Sequence, residues 1–342
     1  MSLVGKKNAI GIIKSNKIYI FEEGYKISES HKLRMVIFSY QYEHVMIKTL
    51  PFFFLSLFVL TKTASKAQNV YKLWDDQEIP FYKENNLVEY EEEFWGTVCV
   101  LNVTDPTLTI YRAKGENTGK AVVVIPGGGY EIVAINHEGH DLARALSEQG
   151  ITSAVLKYRI PNPESSDQPW NVPLADARRA LKLVREKAQE FDVTTNKVGV
   201  IGFSAGSHLA TVAGLWKSED IDEIPDFSAL IYGVTNLSEV NLSWLEESLY
   251  FRKMTNEEVA QNTLLELVNE DTPSAFLVHA YDDDVCMVEE SMLYAEKLID
   301  KDVPVEMHLF PKGGHGFGMG RIEDGTDQWV PLFINWVKLN DF

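Results

Sequence analysis

The sequence predicts an α/β fold in which a mostly parallel central sheet carries helices on both faces and a small cap-like insertion. Two observations point to the sheet. From about Thr97 onward, apolar β-branched runs alternate with stretches of helical spacing, the order of strand–helix–strand units joined in parallel. The runs are nearly continuously apolar, as strands covered on both faces must be. A third observation points to the insertion: from about Leu237 to Val268 the rhythm breaks into a longer acidic segment with helical spacing and an aromatic cluster. With 342 residues, 45% hydrophobic and 24% charged, the chain can bury one large core.

Taken in order, the first 67 residues stand apart. Met46 and Lys48 precede an apolar run from Leu50 to Leu60 and a small-residue stretch ending at Ala67. Residues 46–67 thus carry the pattern of a secretory signal peptide, with "SKA" as the cleavage signal before Gln68. The apolar run is too short to span a bilayer as a helix, so no stable membrane anchor is expected. Because a signal peptide opens a chain, Met46 reads as the initiator and residues 1–45 as a non-native upstream extension. Residues 68–342 form the expected domain, exported to the periplasm or the medium. The formal charge is −18 overall, and residues 68–342 hold 22 basic against 46 acidic side chains. Such a balance argues against nucleic acid or an anionic membrane surface as a partner. Cys99 and Cys286 are too few for a disulfide framework and read as free thiols.

Within 68–342, "TVCVLNV" and "LTIYRA" read as an opening antiparallel pair around the turn "TDPT". "KAVVVIP", "ITSAVLKYR", "KVGVIGF", "SALIYGV", "SAFLVHA" and "PVEMHLF" follow as the covered strands. Between them, Leu174, Ala177, Leu181, Val184 and Ala188 recur three or four residues apart and give one helix its apolar stripe. The insertion at 237–268 reads either as a cap over a site or as a helix pair packed on the sheet edge.

The chemistry centres on Ser204. It lies in "GFSAG", a G-x-S-x-G placed after the strand "KVGVIGF" and before the helical "AGSHLATVAGLW". A serine in front of a helix is commonly only an N-cap. The strand–turn–helix setting points instead to a nucleophile elbow, whose glycines are needed because a side chain would strike the neighbouring strand or helix. A serine hydroxyl needs a base, and the base an orienting acid. In this arrangement they follow in the order acid, then histidine. His308 and His315 are the histidines beyond the acidic cluster that begins at Asp282; His308 sits inside a strand, whereas His315 sits in the glycine-rich loop "PKGGHGFGMG". His315 is therefore the base. "YDDDV" leaves Asp282, Asp283 and Asp284 as alternatives for the acid, since turn-capping and solvated carboxylates are ordinary there. "IPGGGY" supplies an oxyanion loop, with backbone N–H donors at Gly128 and Ala205 and a third candidate at Gly129. It lacks the glycine spacing and the lysine of phosphate-binding loops.

Other residues read blandly. His137 and His140 flank Glu138 at one residue less than the spacing that lets two imidazoles share a zinc, so no metal is expected. His208 packs beneath the site. Trp170, Trp244, Tyr250 and Phe251 could stack on a sugar ring, but packing is the simpler role for each.

Together these segments resemble the α/β-hydrolase esterases related to acetyl xylan esterases of bacterial polysaccharide degradation. The likeness covers most of residues 119–339 through "VVVIPGGGY", "HEGHDLARAL", "AVLKYRIP", "DARRALKLVREKA", "GVIGFSAGSHLA", "TPSAFLVHAYDDDV" and "FPKGGHGFGMG". The resemblance implies an α/β-hydrolase catalytic domain over 68–342 that removes short acyl groups, typically acetyl, from small-molecule or polysaccharide esters without a cofactor. It also selects Asp283, because the acid of that family stands four residues beyond the histidine that is His279 here. Ser207, Cys286 and Met287 depart from the family pattern and bear on pocket shape. Competing readings are an α/β-hydrolase-fold peptidase, a general short-chain carboxylesterase, a glycoside hydrolase, which would need two carboxylates flanking a sugar bond, and a non-catalytic carbohydrate-binding protein.

Overall fold

The computed structural model describes residues 9–14, 17–22, 69–75 and 78–342. The expected signal segment at 46–67 lies outside the described residues, as does most of 1–45, of which Ala9–Lys14 and Lys17–Glu22 form a two-stranded sheet. Among the described residues no helix is long and apolar enough to cross a membrane.

Residues 69–342 are organised by one eight-stranded sheet. Its spatial order runs Val305–Phe310, Ser274–Ala280, Phe227–Ile231, Val198–Phe203, Ala121–Ile125, Thr152–Lys157, Thr107–Tyr111, Asn69–Lys72. The first six are mutually parallel, and the last two join antiparallel. Every residue of Ala121–Ile125, Val198–Phe203 and Phe227–Ile231 is buried, which requires cover on both faces. The amphipathic helices Asp141–Glu148, Val172–Glu186, Glu289–Asp300 and Trp329–Leu339 supply it, together with Ala205–Leu215, which is buried nearly all round. In Val172–Glu186 the buried set includes Leu174, Ala177, Leu181 and Val184, the stripe read from their spacing; Ala188 opens a separate short helix, Ala188–Phe191.

One expected pairing is absent. Thr97–Leu101 and Thr107–Tyr111 do not pair with each other: the former joins Tyr90–Phe94 and Ile132–Val133 in a three-stranded sheet, and the latter enters the main sheet beside Thr152–Lys157. The connection explains the split. Asn102 takes a left-handed conformation, φ 52°, and turns the chain away. Pro106 has no N–H for a ladder, and its carbonyl accepts from Leu73 N–H (3.1 Å). Thr107–Tyr111 then buries three consecutive residues, a pattern suited to a two-sided sheet rather than an outlying hairpin.

A buried ion pair anchors the antiparallel edge. Asp176 receives Arg159 Nη2 (2.7 Å), Arg159 Nε (3.0 Å), the Arg159 backbone N–H (2.9 Å) and Trp74 Nε1 (2.8 Å). With every carboxylate oxygen satisfied the pair is tolerated in the core, whereas removal of one partner would leave an uncompensated charge.

The segment 237–268 is helical. Ser238 caps Glu239–Leu245 by accepting from Asn241 N–H, the helix continues as a wider turn over Glu246–Tyr250, and Thr255 with Glu258 forms a capping box on Asn256–Asn262. The carboxyl ends of the parallel strands feed the loops that begin at Pro126, Ser204, Tyr232, Tyr281 and Pro311, the edge where sites of open α/β sheets form.

Candidate active site

Ser204 follows Val198–Phe203 directly and precedes Ala205–Leu215. Its backbone is strained, with φ 51° and ψ −119°, a region that L-residues avoid unless the surroundings enforce it. The surroundings are tight: a Cβ at Gly202 would lie 2.2 Å from Gly206 O, and one at Gly206 would lie 2.2 Å from Ile125 O. Ser204 N–H is held by Ile231 O (3.0 Å). Its side chain makes no helix-capping bond. Instead Oγ lies 2.9 Å from His315 Nε2.

His315 Nδ1 lies 2.8 Å from Asp283 Oδ2. The carboxylate can only accept, so Nδ1 carries the proton and Nε2 is left to accept from the Ser204 hydroxyl. Asp283 Oδ1 accepts from Val285 N–H and Cys286 N–H, both 2.9 Å. His279 closes the other side, its Nε2 3.4 Å from Asp283 Oδ2 and 2.8 Å from Cys286 O, while Nδ1 pairs with Ser291 Oγ (2.8 Å). Burial alone would raise the Asp283 carboxyl, but hydrogen bonds from His279 and His315 and from the backbone outweigh it and hold the group well below the usual carboxylate range. The other two aspartates do other things: Asp282 Oδ1 accepts from Gly314 N–H (2.8 Å) and Asp284 is exposed. Asp283 is thus the one of the three in contact with His315.

Loop 126–130 lies on Ser204, since a Cβ at Gly127 would come within 3.0 Å of Ser204 Cβ. Gly127 N–H donates to Glu138 Oε2 (2.7 Å), whereas the N–H groups of Gly128, Gly129 and Ala205 serve no acceptor in the turns and loops among the described residues. The carbonyls of the loop are occupied: Gly128 O accepts from Glu131 and Ile132 N–H, and Gly129 O from Trp244 Nε1 (3.2 Å). Trp244 belongs to the 237–268 segment and stacks on Tyr130 (5.5 Å, 17°).

His208 lies beneath, buried, with Nδ1 2.8 Å from the Tyr130 hydroxyl. Burial lowers its pKa to about 4 and pushes that of Tyr130 well above the ordinary value. The phenol therefore donates and the neutral imidazole accepts. Trp170 stacks on Tyr250 (5.6 Å, 7°) with the Arg252 guanidinium 4.3 Å over its ring, so these aromatics pack on one another. Phe251 is exposed. Cys99 and Cys286 are buried free thiols; burial, followed by the charges of Asp283 and Glu290, pushes the Cys286 thiol up to about 12. His308 Nε2 pairs with Glu306 Oε1 (2.8 Å), and His140 Nδ1 with the Tyr111 hydroxyl (3.0 Å). Glu138, His279, Tyr232 and Trp244 are the site residues whose part in the site sequence reasoning missed or read as packing; the glutamate of "NHEGH", eight residues beyond Tyr130, was the available signal.

The BD-FAE family model matches residues 108–298, more than half of the chain. The chain belongs to the BD-FAE family. Its fold is that of the α/β hydrolases, and the proteins it is similar to include an acetylxylan esterase and other esterases. The acetylxylan esterase of Xylanibacter ruminicola is 30% identical over 229 residues, covering 65% of this chain and 46% of that protein. Endo-1,4-beta-xylanase B of Butyrivibrio fibrisolvens is 29% identical over 260 residues, 72% of this chain and 39% of that protein. The chain therefore spans less than half the length of these two relatives. Among solved structures, the acetyl ester-xyloside bifunctional hydrolase of Caldicellulosiruptor lactoaceticus superposes with a TM-score of 0.66 at 31% identity, covering 79% of this chain and 95% of that one. A sugar hydrolase of Lactococcus lactis, 22% identical with a TM-score of 0.59, shares the fold.

Proposed function

We propose that this BD-FAE protein is a serine carboxylic-ester hydrolase that removes acetyl and other short acyl groups from carbohydrate esters such as acetylated xylan. The carrying observation is the hydrogen-bonded series Ser204–His315–Asp283 on a strained elbow, beside a loop whose Gly128 and Gly129 N–H groups serve no backbone acceptor among the described residues. The names of the relatives, an acetylxylan esterase and an acetyl ester-xyloside hydrolase, support the acyl group and the sugar.

In this mechanism His315 Nε2 takes the Ser204 proton as Oγ attacks the ester carbonyl. The developing oxyanion is met by N–H groups of Gly128 and Ala205, with Gly129 as a third donor. His315 then protonates the sugar oxygen as its bond to the acyl carbon breaks, releasing the sugar hydroxyl and leaving an acyl-Ser204 ester. Water, deprotonated by the same imidazole, attacks that ester and the reverse proton transfer frees Ser204. Asp283 stays ionised and keeps the imidazole in the required tautomer. Residues 46–67 direct export in the same proposal, and 237–268 caps the site through Trp244.

The test is acetate release from acetylated xylan, measured beside other acetylated sugars and aryl esters of increasing acyl length. Acetylated xylan and short aryl esters are the expected substrates. Preference for long acyl chains, or for peptides, would overturn the carbohydrate-ester assignment.

A further inference from the structure

Glu138 is a carboxylate 3% exposed, and nothing in the proton-transfer series uses it. Its two oxygens face different parts of the site. Oε2 accepts from Gly127 N–H (2.7 Å), at the foot of the oxyanion loop. Oε1 accepts from the Tyr232 hydroxyl (2.7 Å), 94 residues away. That hydroxyl in turn accepts from Gly318 N–H (3.0 Å), three residues beyond His315 in the glycine-rich loop. Burial first, and then the charge of Glu138, raises the Tyr232 phenol well above its ordinary pKa, so it remains a donor to the carboxylate.

The contacts around this bridge are close. The Tyr232 ring packs edge-on against His315 (5.0 Å) and Phe317 (4.6 Å). Gly318 O is held by Trp329 Nε1 (3.0 Å), and a Cβ at Gly318 would lie 2.6 Å from the His137 ring. A Cβ at Gly127 would meet Glu138 Oε2 at 2.8 Å and Phe203 O at 2.6 Å. Neither loop can shift without disturbing the carboxylate or the phenol.

We propose that Glu138 is a positioning residue that, through Gly127 N–H on one side and the Tyr232 hydroxyl with Gly318 N–H on the other, keeps the oxyanion loop and the loop bearing His315 in register with Ser204. A carboxylate suits this place because it accepts two bonds in different directions and has no donor to turn against either N–H or O–H. Glutamine keeps the shape but must present its NH₂ to one of the two partners. The cost falls on the transition state, where donors and base must both be placed to a fraction of an ångström, and misplacement by about 1 Å costs on the order of 100-fold.

The proposal rests on the ester-hydrolase assignment, and the experiment separates the two. The full chain is assayed on p-nitrophenyl acetate as wild type, Ser204→Ala, Glu138→Gln, Tyr232→Phe and the double variant, with functional sites counted by titration with a fluorophosphonate. Both single variants are expected to lower kcat per titrated site by roughly 10- to 100-fold at little changed KM. The double variant should cost no more than the worse single one, because both break one bridge. Tyr232→Phe keeps the ring and reports even if Glu138→Gln folds poorly. A purely structural role would lower the melting temperature and the titrated fraction but leave kcat per site unchanged; that result, or multiplicative losses in the double variant, overturns the proposal. An inactive wild type, or an active Ser204→Ala variant, overturns the ester-hydrolase assignment itself.

Discussion

Lowering the pH from 7 to 4.5 charges His208 in the unfolded chain, whereas the fold holds it mainly neutral. His208 is 2% exposed, and burial brings its pKa from 6.5 to about 4. The unfolded chain therefore binds this proton first, and stability falls with pH between 6.5 and 4. The gap corresponds to about 3 kcal/mol in full, of which about 2.5 kcal/mol is lost by pH 4.5. The loss has a local meaning, because Nδ1 accepts the Tyr130 hydroxyl directly after the oxyanion loop and a protonated ring cannot accept. Urea unfolding of wild type and His208→Gln at a series of pH values reads it. Glutamine can still accept from Tyr130 but does not titrate, so its stability should fall less steeply, with the two curves converging by about 2.5 kcal/mol between pH 7 and 4.5. Parallel curves, or an imidazole resonance of His208 that titrates near 6.5, would refute the reasoning.

Four further outcomes are expected. Asp283→Asn should lower kcat on an aryl acetate by roughly 1,000- to 10,000-fold by releasing the His315 tautomer, while Asp282→Asn and Asp284→Asn stay near wild type; equal effects at the three positions would contradict the contact geometry. Asp283, held below its usual range, contributes stability that is complete above the ordinary carboxylate value and is lost as pH falls further, so its variant should be less sensitive to acid below about pH 4. Ser207 is buried and its hydroxyl lacks a partner among the described residues. Ser207→Ala should therefore raise stability by about 1 kcal/mol in denaturant unfolding. Trp244→Phe keeps the stack on Tyr130 but loses the bond to Gly129 O, and should lower kcat about fivefold with KM little changed, the equivalent of one neutral hydrogen bond.

Five of the six parallel strands were legible because they are buried almost throughout and so show largely apolar runs, as in Ala121–Ile125 and Val198–Phe203, whereas Val305–Phe310, at the end of the sheet, is mostly half-buried and carries Glu306 and His308. The elbow was legible because Gly202 and Gly206 answer to local sterics that the G-x-S-x-G pattern records directly. The neighbourhood of Ser204 and His315 followed from chain order, while the selection of Asp283 among three aspartates needed the family likeness. Pairing of Thr97–Leu101 with Thr107–Tyr111 failed because both segments have strand composition, and their partners are chosen by a left-handed Asn102 and by burial that composition does not reveal. Glu138 escaped notice for a related reason. Its partners lie 11 and 94 residues away, and the histidines beside it point only to a metal motif whose spacing they miss, whereas its oxygens accept from a backbone N–H and a phenol, with His137 Nε2 3.6 Å from Oε1. Trp244 reaches Gly129 across 115 residues, a contact that helical spacing in an insertion does not specify.

The central claim is that Ser204 Oγ forms the acyl-enzyme. Rapid acid quenching of the enzyme during turnover of p-nitrophenyl acetate, followed by mass spectrometry of the peptides, tests it most directly. The account predicts one acetyl group on the peptide carrying Ser204, absent from Ser204→Ala, which also loses hydrolysis while keeping its fold. Full activity in Ser204→Ala, or an acetyl group retained on another residue during turnover, would contradict it.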